Sequence, residues 1–247
     1  MIDTTLIYTY KEGLNHIPTY IPNDLILSLY RECINNNKQY HRSIMYTTEE
    51  HKNLFVNDVD SIKIIDENYD IYFQDDLKFY VLQKETPPYT LIDGDIILDN
   101  KLKIGNENVV YEKKLGEYPT EDYFLKMLEY LDKYKVKKSF PYWKTFEYTY
   151  NLGILHVNDN TFVNSFTEEY TKLKKWYKDN IDLVQPEIKK KVVIEMATCT
   201  YFFSMFLEVH KFTIGVLNKE NSFTHYSGTK QKLKFLKEIG AFKNTLI

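Results

Sequence analysis

Apolar positions recur along the chain with two periods, one of strands and one of helices, and their alternation predicts an α/β fold. Thr5-Leu6-Ile7-Tyr8-Thr9-Tyr10 is rich in β-branched and aromatic residues and predicts a first strand. After Pro22-Asn23-Asp24, the residues Leu25, Ile26, Leu29, Tyr30, Cys33 and Ile34 keep the i, i+3, i+4 spacing of a helix reaching about Asn35. Ser43-Ile44-Met45-Tyr46 predicts a second strand. Thr47 and Glu50 suggest a capping box for a short helix through Phe55, and Ser61-Ile62-Lys63-Ile64-Ile65 a third strand. A helix is expected over Lys78 to Lys84, stopped by Pro87-Pro88, after which Tyr89-Thr90-Leu91-Ile92 runs into Asp93. Such alternation is the pattern of parallel βαβ units.

Beyond Leu98 the pattern changes to a meander. Lys101 to Ile104 and Val109-Val110-Tyr111 read as short strands separated by Gly105-Asn106-Glu107-Asn108. Thr120 can cap a helix carrying Tyr123, Phe124, Met127, Leu128 and Leu131 on one face. A strand is predicted within Phe146 to Asp159, where Gly153 signals close approach of a backbone or a ligand and His156 reads as a satisfied core histidine. Phe162 to Trp176 predicts an amphipathic helix with Phe162, Phe166, Tyr170, Leu173 and Trp176 facing inward. Pro186 fits the first turn of a long helix ending near Phe212.

Composition narrows the class. The 247 residues, 43% hydrophobic, suffice for a core, and a net charge of −3 from 32 basic and 35 acidic residues gives no general pull toward nucleic acid or acidic lipid. Cys33 and Cys199 lie outside any ligand spacing and read as reduced thiols. The first residues lack the basic and apolar regions of a signal peptide, and Val192 to Val209 is interrupted by Glu195 and Glu208, so no transmembrane segment and a cytoplasmic location are expected.

Candidate chemistry begins at Leu91-Ile92-Asp93-Gly94-Asp95-Ile96-Ile97-Leu98, an apolar run cut by two carboxylates. On a strand, residues two apart share a face, so Asp93 and Asp95 can converge on one divalent cation while Gly94 admits a ligand to the backbone. The alternative is an Asp-Gly hairpin turn. Asn151-Leu152-Gly153 places an amide, which both donates and accepts, beside the glycine; an ordinary strand with a glycine bulge is the alternative. Tyr142 and Trp143 upstream could stack on a sugar ring, though exposed aromatics serve as often in rim packing. Near the end, Phe223-Thr224-His225-Tyr226-Ser227-Gly228-Thr229-Lys230-Gln231-Lys232 gathers a metal-ligand histidine, a close-approach glycine and positive charge, a composition that fits a metal diphosphate. The alternative is a loop before a solvated basic helix.

Taken in order, Asp93-Gly94-Asp95, Asn151-Leu152-Gly153 and the His225 segment resemble the Asp-x-Asp, Asn-x-Gly and His-x-x-Gly-x-x-Lys signatures of nucleotide-sugar glycosyltransferases of the GT-A fold, glycosyltransferase family 8 above all. The Ser28-Leu29 pair and the Lys78 helix before the acidic motif extend the likeness. The resemblance implies a Rossmann-like, mixed, mostly parallel sheet flanked by helices, with a helical C-terminal part. Residues 1–100 would form a nucleotide-binding half and 101–247 an acceptor and sugar half with a C-terminal lid, in one domain. It implies Mn²⁺ or Mg²⁺ on Asp93, Asp95 and His225, donor contacts from Lys78, Asp93, Gly228 and Lys230 or Lys232, and Asn151 and Glu195 facing the sugar. The donor would be a nucleoside diphosphate sugar, expected to be UDP-linked, the acceptor a glycan, lipid-linked sugar or protein, and anomeric retention the expected outcome. Two departures stand out: Gln231 occupies the signature's lysine position with no Pro-Trp following, and Glu195-Met196 keeps only the acid of an acid-amide pair. A sugar nucleotidyltransferase, for which Lys11-Glu12-Gly13 is a poor phosphate loop, and a non-catalytic binding or structural protein on the same fold are the alternatives.

Overall fold

The computed structural model describes residues 4–11, 21–73, 75–117, 133, 148–180, 202–217, 220–226 and 229–241. Four strands rich in β-branched and aromatic residues, β1 (Leu6–Tyr10), β2 (Ser43–Thr47), β3 (Ser61–Ile64) and β4 (Tyr89–Ile92), form the parallel part of a seven-stranded sheet of order β3-β2-β1-β4-β7-β6-β8. β7 (Tyr148–Val157) pairs antiparallel with both β4 and β6 (Val109–Glu117), and β8 (Ile214–Val216) joins β6 in parallel. The expected mixed, mostly parallel sheet flanked by helices is therefore what forms. α1 (Asn23–Asn37) links β1 to β2, and α2 (Asp76–Lys84) leads into β4. α3 (Asn160–Asp179) follows β7, helical residues 202–210 form α4, and α5 (Thr229–Glu238) comes last.

Side-chain alternation divides the core. Ile7, Leu91, Leu155 and Val157 point to the face covered by α2, α3 and residues 202–207, where Phe79, Phe162, Phe166, Tyr170 and Phe203 pack ring against ring. Leu6, Tyr8, Met45, Ile92 and Ile154 point to the other face, with Ile34 of α1 and Phe55. Leu25, Ile26, Leu29 and Cys33 on the outer stripe of α1 meet Phe235 and Leu236 of α5.

Several expectations change. The apolar run after Asp95 does not continue β4: β5 (Ile96–Leu98) leaves the main sheet and pairs with β9 (Phe223–His225) in a separate two-stranded sheet, so neither one long strand nor a hairpin forms. Lys101 to Ile104 is irregular, because Leu102 N donates to His41 Nε2 and Lys103 N to Asn221 Oδ1 in place of a strand neighbour. The capping box is absent. Thr47 ends β2, Thr48 precedes a 3₁₀ turn (Glu49–Leu54), and the Thr48 hydroxyl bonds the His51 ring at 2.7 Å. In α3 Tyr177 is buried where Trp176 was expected, with Trp176 only half-buried, and α4 stops at His210, before Phe212. The helix expected after Thr120, and Tyr142, Trp143, Pro186, Cys199 and Glu195, lie outside the described residues.

Candidate metal centre

β1 connects outward to β2 on one side while β4 lies on its other side, so the chain changes direction between β1 and β4. At such a point the carboxyl ends of the strands splay and leave a crevice. A cavity of about 90 Å³ opens there, lined by Tyr10 and Lys11 at the end of β1, Tyr30 of α1, Asp75 just before α2 and Lys78 within it, and Asp93 and Gly94 after β4.

Asp93 and Asp95 lie in the turn beyond Ile92, so strand alternation is not what brings them together. Asp93 N donates to Gly153 O at 2.8 Å, Ile96 N returns to Asp93 O at 3.3 Å, and Tyr226 N donates to Asp95 O at 2.9 Å. Packing requires a glycine at 94, since a Cβ there would lie 2.5 Å from the Tyr30 ring. His225 arrives on β9, its backbone paired with Ile96. Ligand atoms of Asp93, Asp95 and His225 then all fall within 4.8 Å of one another, two carboxylates and an imidazole from segments far apart in the chain. That donor set suits an oxygen-preferring divalent ion that tolerates one imidazole, such as Mn²⁺.

Each acid carries its own lysine. Lys78 Nζ lies 2.8 Å from Asp93 Oδ1 and 3.3 Å from Asp75 Oδ1, and donates to Leu152 O at 2.8 Å. Burial alone would lower the Lys78 pKa, but the Asp93 and Asp75 carboxylates outweigh it and raise it. Lys232, on α5, lies 2.8 Å from Asp95 Oδ2, whereas Lys230 is exposed on the same helix; Lys232 is thus the one the structure brings to the acids. Burial would push Asp95 up, yet the His225 hydrogen bond and the Lys232 ammonium hold it below the usual carboxylate range. Asp93 is pushed up by burial, only partly offset by Lys78, with the Asp95 charge adding to the rise.

His225 Nε2 stands 3.5 Å from Asp95 Oδ1, and Nδ1 bonds Glu112, 2.9 Å to Oε2 and 3.1 Å to Oε1. Burial opposes its charge, but Asp95 and Glu112 push its pKa up to about 10. Glu112 went unnoticed in the sequence, where it is simply the first of three charged residues, Glu112-Lys113-Lys114. Asn151 Oδ1 accepts from Gly153 N at 2.8 Å, so part of the amide expected to face a sugar is spent on its own strand. Gly228 and Glu195 lie outside the described residues. Of the expected lid, Thr224 and His225 sit in a strand and Thr229 to Lys232 in a helix, and residues 227–228 lie outside the described residues.

No family model and no curated protein matches the sequence. Among solved structures, the chain is similar to mouse xyloside xylosyltransferase 1 in its apo form, at 12% identity over 88% of this chain and 86% of that one, TM-score 0.46. It is also similar to a putative glucose-1-phosphate thymidylyltransferase from Bacillus anthracis, at 11% identity over 96% and 95%, TM-score 0.44. A mannose-1-phosphate geranyltransferase from Thermus thermophilus gives 12% identity over 91% and 76%, TM-score 0.46. Likenesses this distant say nothing of substrate, which has to be read from the residues themselves. No helix among the described residues is long and apolar enough to cross a membrane.

Proposed function

We propose that the chain is a metal-dependent glycosyltransferase of the GT-A type, transferring a sugar from a nucleoside diphosphate donor, a uridine one by the family 8 likeness, to a glycan, lipid-linked or protein acceptor. The observation that carries this reading is the meeting of Asp93, Asp95 and His225 outside the end of β4, with Lys78 and Lys232 on either side. Asp93, Asp95 and His225 would hold Mn²⁺ or Mg²⁺, which when bound supplies Lewis-acid stabilisation to a departing diphosphate. Lys232, released from Asp95, reaches the same place and adds charge to the leaving oxygens. The cavity beside Asp93, lined in part by Tyr10 and Tyr30, is where the nucleoside would lie. Asn151 retains its Nδ2 for the sugar, and Glu195 takes its sugar-facing role from the resemblance alone. Retention at the anomeric carbon, a single domain and a cytoplasmic setting belong to the same proposal.

One observation favours a second reading, a binding protein without turnover: both acids already have lysine partners, so the site is neutralised without any ion. A panel of nucleotide sugars with Mn²⁺, scored for binding and for sugar release, separates the two. Asp95→Asn is expected to abolish Mn²⁺-dependent nucleotide-sugar binding in calorimetric titration while the circular dichroism spectrum persists. Unchanged metal-dependent affinity would return Asp93-Gly94-Asp95 to a structural turn.

A further inference from the structure

We infer that Glu112 is a positioning residue for this centre: its buried carboxylate fixes the His225 ring with Nε2 turned to Asp95, and residue 153 is glycine because that carboxylate and ring fill its side-chain space. The inference rests on the reading of Asp93, Asp95 and His225 as a cation site.

Glu112 is 3% exposed and follows the core residues Val110 and Tyr111. A carboxylate so placed needs a partner that stabilises its charge, and both its oxygens lie on His225 Nδ1. The contact originates in irregular pairing of β6 with β7. Tyr111 faces Leu155 and Lys113 faces Asn151, so Leu152, Gly153 and Ile154 all stand opposite Glu112 alone. Irregularities of this kind re-aim side chains, and here the space is tight. A Cβ on residue 153 would lie 2.3 Å from Glu112 Oε2 and 2.7 Å from His225 Cε1.

The same stretch of β7 serves Asp93 and Lys78 through its backbone. Gly153 O accepts from Asp93 N, and Leu152 O accepts from Lys78. Asn151 Oδ1 holds Gly153 N and so stabilises the irregularity. Asn151-Leu152-Gly153 is thus a support for the acidic turn and the histidine together.

β9 fixes the His225 backbone against β5 but leaves the ring its rotation. An acceptor at Nδ1 removes that freedom and keeps the proton there, so in the neutral ring the lone pair is on Nε2, the nitrogen facing Asp95. Carboxylates behind metal-binding histidines act in this way, and their loss typically weakens metal binding about 10–100-fold.

The test uses the full chain and Mn²⁺ alone, with free ion counted by electron paramagnetic resonance and folding checked by circular dichroism. Asp95→Asn should lose Mn²⁺, and His225→Ala should bind it only weakly, through the two carboxylates that remain. Glu112→Ala should weaken it about 10–100-fold, and Glu112→Gln, which keeps an acceptor at Nδ1, should weaken it less. In the His225→Ala background Glu112→Ala should add nothing, because its effect passes through that ring. Gly153→Ala should mimic Glu112→Ala with every ionisable group still in place, which keeps the inference testable if Glu112→Ala does not fold. Wild-type Mn²⁺ affinity in both Glu112→Ala and Gly153→Ala, a Gln variant no better than Ala, or additive losses in the double variant overturns it. If Asp95→Asn and His225→Ala themselves bind Mn²⁺ normally, the cation site falls and this inference with it, a pattern distinct from failure at Glu112 alone.

Discussion

In β7 the imidazole of His156 is fully buried, and its tautomer follows from its neighbours. Asn158 spends its amide nitrogen on Gly105 O and Glu107 O, so its Oδ1 can only accept, which puts the proton of His156 on Nε2 at 2.8 Å. Nδ1 then accepts from the Thr90 hydroxyl, also at 2.8 Å. The ring is a satisfied neutral bridge between strands, as expected for a histidine in an apolar strand. Burial lowers its pKa from 6.5 to about 4, with the Asn158 hydrogen bond opposing only in part. The unfolded chain therefore takes up the proton first as pH falls. The stabilisation is complete above about 6.5 and is lost as pH drops toward about 4. Urea unfolding should show a loss of about 2 kcal/mol from this group between pH 7 and 5. His156→Gln, less stable at neutral pH, should lack that decline; an equal decline in the variant would assign it to other groups.

At the scale of elements, the small β5-β9 sheet decides where Asp95 and His225 stand, and a residue of α1 fastens it. Asn37, fully buried, donates to Ile96 O at 2.8 Å and to the Tyr8 hydroxyl at 2.9 Å, and accepts from Leu98 N at 2.7 Å. Removing it strands a buried carbonyl and a buried N–H, so Asn37→Ala should cost about 3 kcal/mol in urea unfolding and speed hydrogen exchange at Leu98. Unaltered exchange at Leu98 would show that β5 is held by β9 alone. Helices and parallel strands could be read from periodicity because their apolar stripes follow local geometry. Lys101 to Ile104 could not, since alternating Lys and Leu or Ile looks like a strand whether its N–H groups meet another strand or, as here, His41 and Asn221 side chains. The acidic turn announced itself by putting carboxylates into an apolar run. Glu112 gave no such signal, because its burial depends on how β6 and β7 fall out of register, a property of the pair that neither strand shows alone.

Across the whole molecule, the centre balances charge between segments that are far apart in sequence. Lys78 comes from the helix before β4 and Lys232 from α5, which is held against α1 by Phe235 and Leu236. Tyr226 N on Asp95 O and the β5-β9 pairing fasten the start of the same C-terminal segment. This segment is thus held over the strand tips by apolar, backbone and ionic contacts together. Lys232 stands in two relations to a ligand. Beside Asp95 it repels an arriving cation, while toward a diphosphate it is an attractive charge. Lys232→Gln should therefore change two affinities in opposite directions. Mn²⁺ alone should bind a few-fold more tightly, because a competing positive charge 2.8 Å from the ligand oxygen is gone. Mn²⁺ with a nucleoside diphosphate should bind about tenfold more weakly, the loss expected for one charge-assisted hydrogen bond. Titrating each ligand set into both proteins by calorimetry gives the signs directly. If both affinities move together, Lys232 only supports the fold of α5 against the centre, and the diphosphate must find its positive charge elsewhere.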